Sequence, residues 1–323
     1  MRHAQRVLAC LESDQAAATS RLAASWRRSY ERHGIDPFRR APQHVATSSE
    51  LRERKQKADQ FLSVAGPMLD NLFSLVGASG CSVVLTDADG FVLEQRCRNA
   101  DARSFQNWGL CQGAVWSEDF EGTNGIGTCL AERRAVTIHR DQHYLPKNIA
   151  MTCIGVPIHG AKGKLIGVLD VSSARSDQTN AVNKLIAATV KDAALKIETE
   201  NFRAHFPNKR VVLAGHGDVD QGALVAISSD DCIVGATRAA RKLFNWELEH
   251  DLKPVAATDI FEEDKGVSGF VRGEKAAIIK AITRANGNVS AAAKSLGIGR
   301  ATLYRRMNRL GIARSDERRK ILK

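Results

Sequence analysis

No two of the seven cysteines are spaced C-x-x-C, and their number is odd (Cys10, Cys81, Cys97, Cys111, Cys129, Cys153 and Cys232). Scattered, unpaired thiols exclude a disulfide framework and a zinc knuckle, and they fit a reducing compartment. Long hydrophobic runs are missing as well. No stretch is expected to reach the ~18 apolar residues of a membrane span, and Arg2 and Arg6 lead into no apolar run of signal-peptide type. The phosphate-loop pattern G-x-x-x-x-G-K-[ST] does not occur. A net charge is also missing from most of the chain. Of 47 Lys/Arg and 36 Asp/Glu, fourteen bases and three acids (Glu274, Asp316 and Glu317) lie from Arg272 onward, which leaves 33 of each before it.

The whole excess of +11 therefore sits in the last sixth of the 323 residues. A basic module on a neutral body is the electrostatic footprint of nucleic-acid binding. With 43% hydrophobic and 26% charged residues, the body has the composition of a globular protein of two or three domains.

Within the basic segment the pattern is that of two short helices and a tight turn. Asn288 is placed to cap the first, and Val289, Ala292, Ala293 and Leu296 give it an apolar face. Gly297-Ile-Gly299 supplies the turn. A second helix from Arg300 to Leu310 buries Leu303, Met307 and Leu310, and Gly311 closes it. Arg300, Thr302, Arg305, Arg306 and Arg309 fall off that stripe, with Tyr304 between stripe and surface. A helix-turn-helix offers such a face to the major groove, where the arginine fork meets guanine or phosphate. A preceding helix, Glu274 to Asn286, is expected to bury Ile278, Ile279 and Ile282.

The rest reads in chain order. Residues 1–34 are helical in pattern, with Leu22, Trp26 and Tyr30 on one face and Gly34 as the stop; a linker follows to Ser49. Thr47-Ser-Ser-Glu50 begins a long helix that buries Leu51, Ala58, Leu62 and Ala65, and Gly66-Pro67 is expected to kink or divide it. Strands follow at Cys81–Thr86, Phe91–Arg96, Ala135–His139, Met151–Val156 and Leu165–Val171, the last two joined by a turn at His159–Gly163. A helix from Asp177 to Phe202 places Val182, Leu185, Ile186, Thr189, Ala193 and Ile197 on one face. Helices on both sides of a mainly antiparallel sheet make the fold α+β.

Ser25-Trp-Arg-Arg-Ser29, Trp116-Ser-Glu118, Gly122-Thr-Asn-Gly-Ile-Gly-Thr128, Thr152-Cys153 and Gly167-Val-Leu-Asp170 resemble the sensory half of the acetoin-catabolism and dihydroxyacetone-kinase regulators. That half is a GAF-type domain, and the resemblance runs from about Ser20 to Phe202. Residues 223–244 are similar to the first strands and helix of a PAS domain, in a truncated segment. The C-terminal hairpin resembles a Fis-type domain. The resemblance places Asn288 and Ser290 near phosphates and Arg300, Thr302, Tyr304 and Arg305 on the recognition helix. Gly299 stands where the family has a polar cap. The family's enhancer-dependent members carry an ATPase between sensor and reader. No phosphate loop is present here, so an ATP-independent regulator is implied.

The expected architecture is a helical segment at 1–50, a GAF-type sensor at 51–204 and a PAS-like segment at 205–262. A linker at 263–273, a helix-turn-helix at 274–312 and a basic tail at 313–323 complete it. The expected function is a cytoplasmic transcription regulator, not an enzyme, that binds double-stranded DNA as a homodimer under a small-molecule or redox signal. A Fis-like DNA-bending protein and a cysteine-dependent GAF reductase are the alternatives. Trp108, Trp116, Thr123, Asn124, His143 and Cys153 are candidate ligand-binding residues, with Thr123 and Asn124 expected to satisfy backbone groups. Gly125-x-Gly127 lacks the third glycine of a dinucleotide fingerprint, Leu130 taking its place. No metal site or cofactor is assigned, because no ligand spacing supports one.

Overall fold

The structure is a computed structural model that describes residues 2–39, 45–175, 178–215, 222–261, 269–285 and 287–312. The chain divides into two compact units, residues 1–255 and 256–323.

The first unit opens with α1 (Arg2–Leu11), α2 (Asp14–Thr19) and α3 (Arg21–Arg27), the last running into a π turn over Arg28–Arg32. The chain stops at Gly34, with φ +64°, where the sequence pattern put it. Trp26 is buried with Val7, Ile35, Tyr144 and Leu145, and its indole N–H donates to the Gln142 carbonyl at 2.8 Å. The expected shared face of Leu22, Trp26 and Tyr30 does not hold. The wider π turn takes Tyr30 off the helical spacing, and it is exposed. Ile35 anchors the start of the linker, and the Tyr144 hydroxyl donates to its carbonyl at 2.6 Å.

Next come α4 (Ser48–Lys57), with Thr47 accepting from the Glu50 amide, and α5 (Asp59–Val76). The division expected at Gly66-Pro67 falls instead at Ala58. Pro67 and Ser63, four residues before it, are both exposed, so water can take the carbonyl that proline leaves unbonded. The opposite face, Phe61, Ala65, Leu69, Leu72 and Val76, is buried. Residues 59–79 are apolar and long enough to cross a membrane by composition alone, contrary to expectation, but this face packs on the sheet.

The sheet has five antiparallel strands in the order β2-β1-β5-β4-β3: β1 (Cys81–Thr86), β2 (Val92–Arg96), β3 (Val136–His139), β4 (Thr152–His159) and β5 (Leu165–Ser173). Between β2 and β3 lie α6 (Asn99–Asn107), α7 (Glu118–Glu121) and α8 (Gly125–Glu132). Side chains alternate across the central strands. Val83, Leu85, Ile154, Val156, Leu169 and Val171 meet α5 and α9 (Asn180–His205) on one face. Val84, Cys153 and Val168 join Phe105, Trp116, Ile126 and Cys129 on the other. Sheet and helices together make the α+β fold that the strand pattern implies.

Asp177, the expected start of α9, lies outside the described residues, and Thr179 caps the helix. The buried face is Asn183, Ile186, Val190, Ala194 and Ile197; Val182 and Leu185, expected on that face, are exposed. A smaller antiparallel sheet of β6 (Arg210–Leu213), β7 (Leu224–Ile227) and β8 (Cys232–Ala236), edged by β9 (Val255–Ala256), carries α10 (Arg238–Leu243). Within the first unit, Arg238 donates to the Gly163 carbonyl at 3.2 Å and Lys162 pairs with Asp251 at 2.8 Å, tying this segment to the β4–β5 turn.

The second unit holds α11 (Ala257–Phe261), α12 (Gly269–Arg284), α13 (Val289–Ser295) and α14 (Arg300–Arg309). Ile278, Ala281, Ala292, Ala293, Leu303, Met307 and Leu310 form its core. Ile282 is half-buried, but Ile279 is exposed, since it stands ~100° around α12 from Ile278. Residues 263–268 of the expected linker, Asn286 and the basic tail 313–323 lie outside the described residues, while residues 269–273 of that linker already belong to α12.

Candidate nucleic-acid interface and sensor interior

The sensor interior is organised by the start of α8. Asn124 Oδ1 accepts from the amides of Ile126 at 2.9 Å and Gly127 at 2.8 Å, and its own amide donates to the Gly122 carbonyl at 2.8 Å. Those helix N–H groups are thereby consumed, as a phosphate site would not allow. The glycines serve close packing instead. A Cβ on Gly125 would stand 2.5 Å from Cys153 Cβ and 2.6 Å from Asp170 Oδ1; one on Gly155 would meet the Gly125 carbonyl oxygen at 2.3 Å.

Two polar clusters flank α8. The first joins three stretches far apart in sequence. Buried Glu118 accepts from Ser25 Oγ at 2.7 Å, Thr128 Oγ1 at 2.8 Å and Arg28 Nη2 at 2.8 Å, and it also takes Arg28 Nε. Ser25 Oγ lies 2.7 Å from Thr123 Oγ1, so Thr123 bonds a side chain rather than the backbone through its hydroxyl. Beside them is a cavity of about 150 Å³ lined by Ser25, Thr123, Thr128, Glu132, Arg134 and Gln142 among others.

The second cluster is a buried chain. His143 Nδ1 donates to the Arg140 carbonyl at 2.8 Å, which leaves Nε2 as acceptor for the Cys153 thiol at 3.3 Å. Ser172 Oγ lies 3.1 Å from Cys153 Sγ and 2.6 Å from Asp170 Oδ2. Asp170 Oδ1 has no hydrogen-bond partner among the described residues. Burial pushes the Asp170 carboxyl up to about 7 and the His143 imidazole down to about 4. Burial likewise raises the thiols of Cys81, Cys129 and Cys153, the reverse of what an activated cysteine needs.

Of the six residues singled out as ligand-binding candidates, Thr123 lines the cavity and Asn124 caps α8. His143 and Cys153 belong to the buried chain. Trp116 is core, its indole N–H donating to the Gly109 carbonyl at 3.0 Å, and Trp108 packs edge-on against Phe105. Sequence reasoning missed Arg28, Glu118, Asp170 and Ser172 as functional positions, although three of them stand in the short motifs that carried the resemblance. Nothing local to Ser172 signals its place.

In the second unit, Asn288 Oδ1 accepts from the amides of Ser290 and Ala291, each at 3.1 Å. Gly297 has φ +66°, and Gly299 caps α14 through its backbone alone. The candidate DNA-contacting residues separate into groups. Arg305 is exposed opposite the buried stripe of α14. Arg300 is also exposed, its guanidinium 5.6 Å from the Tyr304 ring centre, and Thr302 is half-buried. Asn308, one turn beyond Arg305 on the same exposed face, was not anticipated. Arg306 and Arg309 instead reach Glu274 on α12.

Residues 2–199, well over half the chain, match the family described as MimR, N-terminal domain. The chain belongs to that family. Residues 272–310 match the Fis-family bacterial regulatory protein domain, covering α13, the turn and α14. Among MimR-type relatives, the acetoin catabolism regulatory protein of Cupriavidus necator is 32% identical over 240 residues, 73% of this chain and 36% of that protein. The propane 2-monooxygenase operon transcriptional activator MimR of Mycolicibacterium smegmatis is 30% identical over 185 residues, 56% of this chain and 30% of that protein. The chain thus spans about a third of the length of these relatives. The E. coli DhaR(N) in its complex with DhaL shares the fold, with TM-score 0.51 at 14% identity over 74% of this chain and 80% of that one. The resemblance read from the short motifs is borne out.

Proposed function

We propose that the protein is a DNA-binding transcription regulator in which a MimR-type sensor controls a Fis-type reader without ATP hydrolysis. The observation that carries this reading is α14. It leaves Arg300, Arg305 and Asn308 exposed in the segment that holds all of the net positive charge. Such a face suits the major groove, with Asn288 and Ser290 at the start of α13 beside the phosphates. The signal is read as a small molecule with a polar group, because the cavity at Ser25, Thr123 and Thr128 is small and sets hydroxyls and charges beside apolar Leu22, Val136 and Ile138. Raised thiol pKa values weigh against redox sensing and against a reductase. The protein acts in the cytoplasm as a homodimer, whose two arrangements differ in fit to paired half-sites.

The test is genome-wide DNA occupancy of wild type beside an Arg300→Ala/Arg305→Ala variant. A few strong palindromic peaks that vanish in the variant are expected. Broad, weak occupancy insensitive to both arginines would replace this reading with an architectural one.

A further inference from the structure

Glu274 is the one acidic residue between Arg272 and Asp316, in a stretch otherwise rich in lysine and arginine. It stands on α12, largely buried, and its two carboxylate oxygens take two cations of α14. Arg306 Nη1 lies 3.2 Å from Oε1, and Arg309 Nη2 bonds Oε2. These arginines are three residues apart on the α14 flank that turns toward α12, while Arg305 and Asn308 face away from the core. Packing α14 on α12 through Leu303, Met307 and Ile278 needs no such carboxylate. Four arginines stand on α14, and one acid holds half of them.

We propose that Glu274 is a counter-ion that withholds Arg306 and Arg309 from DNA phosphates and so sets how strongly the reader binds DNA of any sequence. This rests on the DNA-binding reading above. Each cation that reaches a phosphate releases a condensed counter-ion and steepens the plot of log affinity against log salt by about 0.9. Phosphate contacts add affinity without sequence information. Holding two arginines on a carboxylate therefore lowers binding to random DNA while leaving Arg300 and Arg305 to the bases. Affinity for every duplex falls alike, so discrimination between sequences rests on Arg300 and Arg305.

The experiment measures binding of the full chain to a random-sequence duplex by fluorescence anisotropy over a series of KCl concentrations. Glu274→Gln is expected to steepen the slope by about one to two and to tighten binding at low salt. Adding Arg306→Gln and Arg309→Gln to that variant should return the slope to the wild-type value. Glu274→Asp, which keeps the charge, should keep the wild-type slope and guards against a folding effect, with thermal unfolding recorded for each variant. An unchanged slope in a folded Glu274→Gln variant, or a slope still steep after both arginines are removed, would overturn the proposal. If the wild type shows no salt-dependent duplex binding, and Arg305→Gln changes nothing, the DNA-binding reading itself fails instead.

Discussion

At the scale of the residue, the buried chain under α8 holds two titratable groups with opposed effects. Asp170 has a pKa of about 7 in the fold against 3.8 unfolded, so the folded state keeps its proton longer. The stability this contributes is complete below pH 3.8 and is lost as pH rises to 7. His143 lies at about 4 against 6.5, so the unfolded chain takes the proton first. Its contribution is complete above pH 6.5 and is lost as pH falls to 4. At 1.36 kcal/mol per pKa unit, Asp170 stands for up to about 4 kcal/mol and His143 for about 3 kcal/mol, with opposite slopes over a shared window. An Asp170→Asn variant keeps an oxygen for Ser172 and removes one slope. Its stability relative to wild type should therefore grow from pH 4 to 7, by up to about 4 kcal/mol, as measured by urea unfolding at a series of pH values. Parallel curves for the two proteins would show that Asp170 does not titrate in this window. Nothing in Gly167-Val-Leu-Asp170 as a string announces a buried carboxyl; the alternation of β5 places Asp170 on the α8 face, and Gly125 brings the helix down onto it.

At the scale of the element, legibility followed locality. The strands and the two reader helices were readable because β-branched runs, a capping asparagine and turn glycines act within a few residues of themselves. The misreadings concern which side of an element meets the core. Pro67 reads as a break, yet α5 runs through it, with both Pro67 and Ser63 on the exposed side of the helix. Val182 and Leu185 looked like core because they share a helical period with Ile186, but the buried face is centred on Ile186, Val190 and Ile197. In the candidate site, the bonding of Asn124 to backbone groups was legible, but not the helix α8 that it caps. Nor was the meeting of Ser25 with Glu118, since 93 residues separate them. The glycine at the start of α14 offers a direct test. Gly299 has the extended φ and ψ of an N-cap, −69° and 148°, and a Cβ there would meet only Thr302 Oγ1, at 3.8 Å. Gly299→Ser should add a side-chain acceptor for the first turn and reduce unfolded-state entropy, raising stability by about 0.5–1 kcal/mol. Thermal unfolding of the variant reads this, and an unchanged or lower midpoint would mean that the backbone there needs glycine.

At the scale of the molecule, the charge, the two compact units and the Fis-type reader raise the question of what pairs two copies. A helix-turn-helix that reads half-sites one turn of DNA apart needs a second copy at fixed spacing. The first unit offers a surface for it. α5 and α9 pack side by side on the sheet, and beyond their buried faces Leu75 is 62% exposed and Leu185 69%, with Val182 also at the surface. Exposed leucines on the outer faces of neighbouring helices would be covered if two copies met there. A Leu185→Glu variant places a charge in that face without touching the inward stripe. It should keep the wild-type unfolding midpoint, fall to half the mass in sedimentation equilibrium, and lose roughly 100-fold in affinity for a two-half-site operator, because the second reader is no longer held at high effective concentration. Affinity for a single half-site should not change. Were the mass to stay that of the wild type, this face would not be the junction. Half the mass with full operator affinity would instead mean that the readers pair on DNA by themselves, and the first unit would then have no part in setting their spacing.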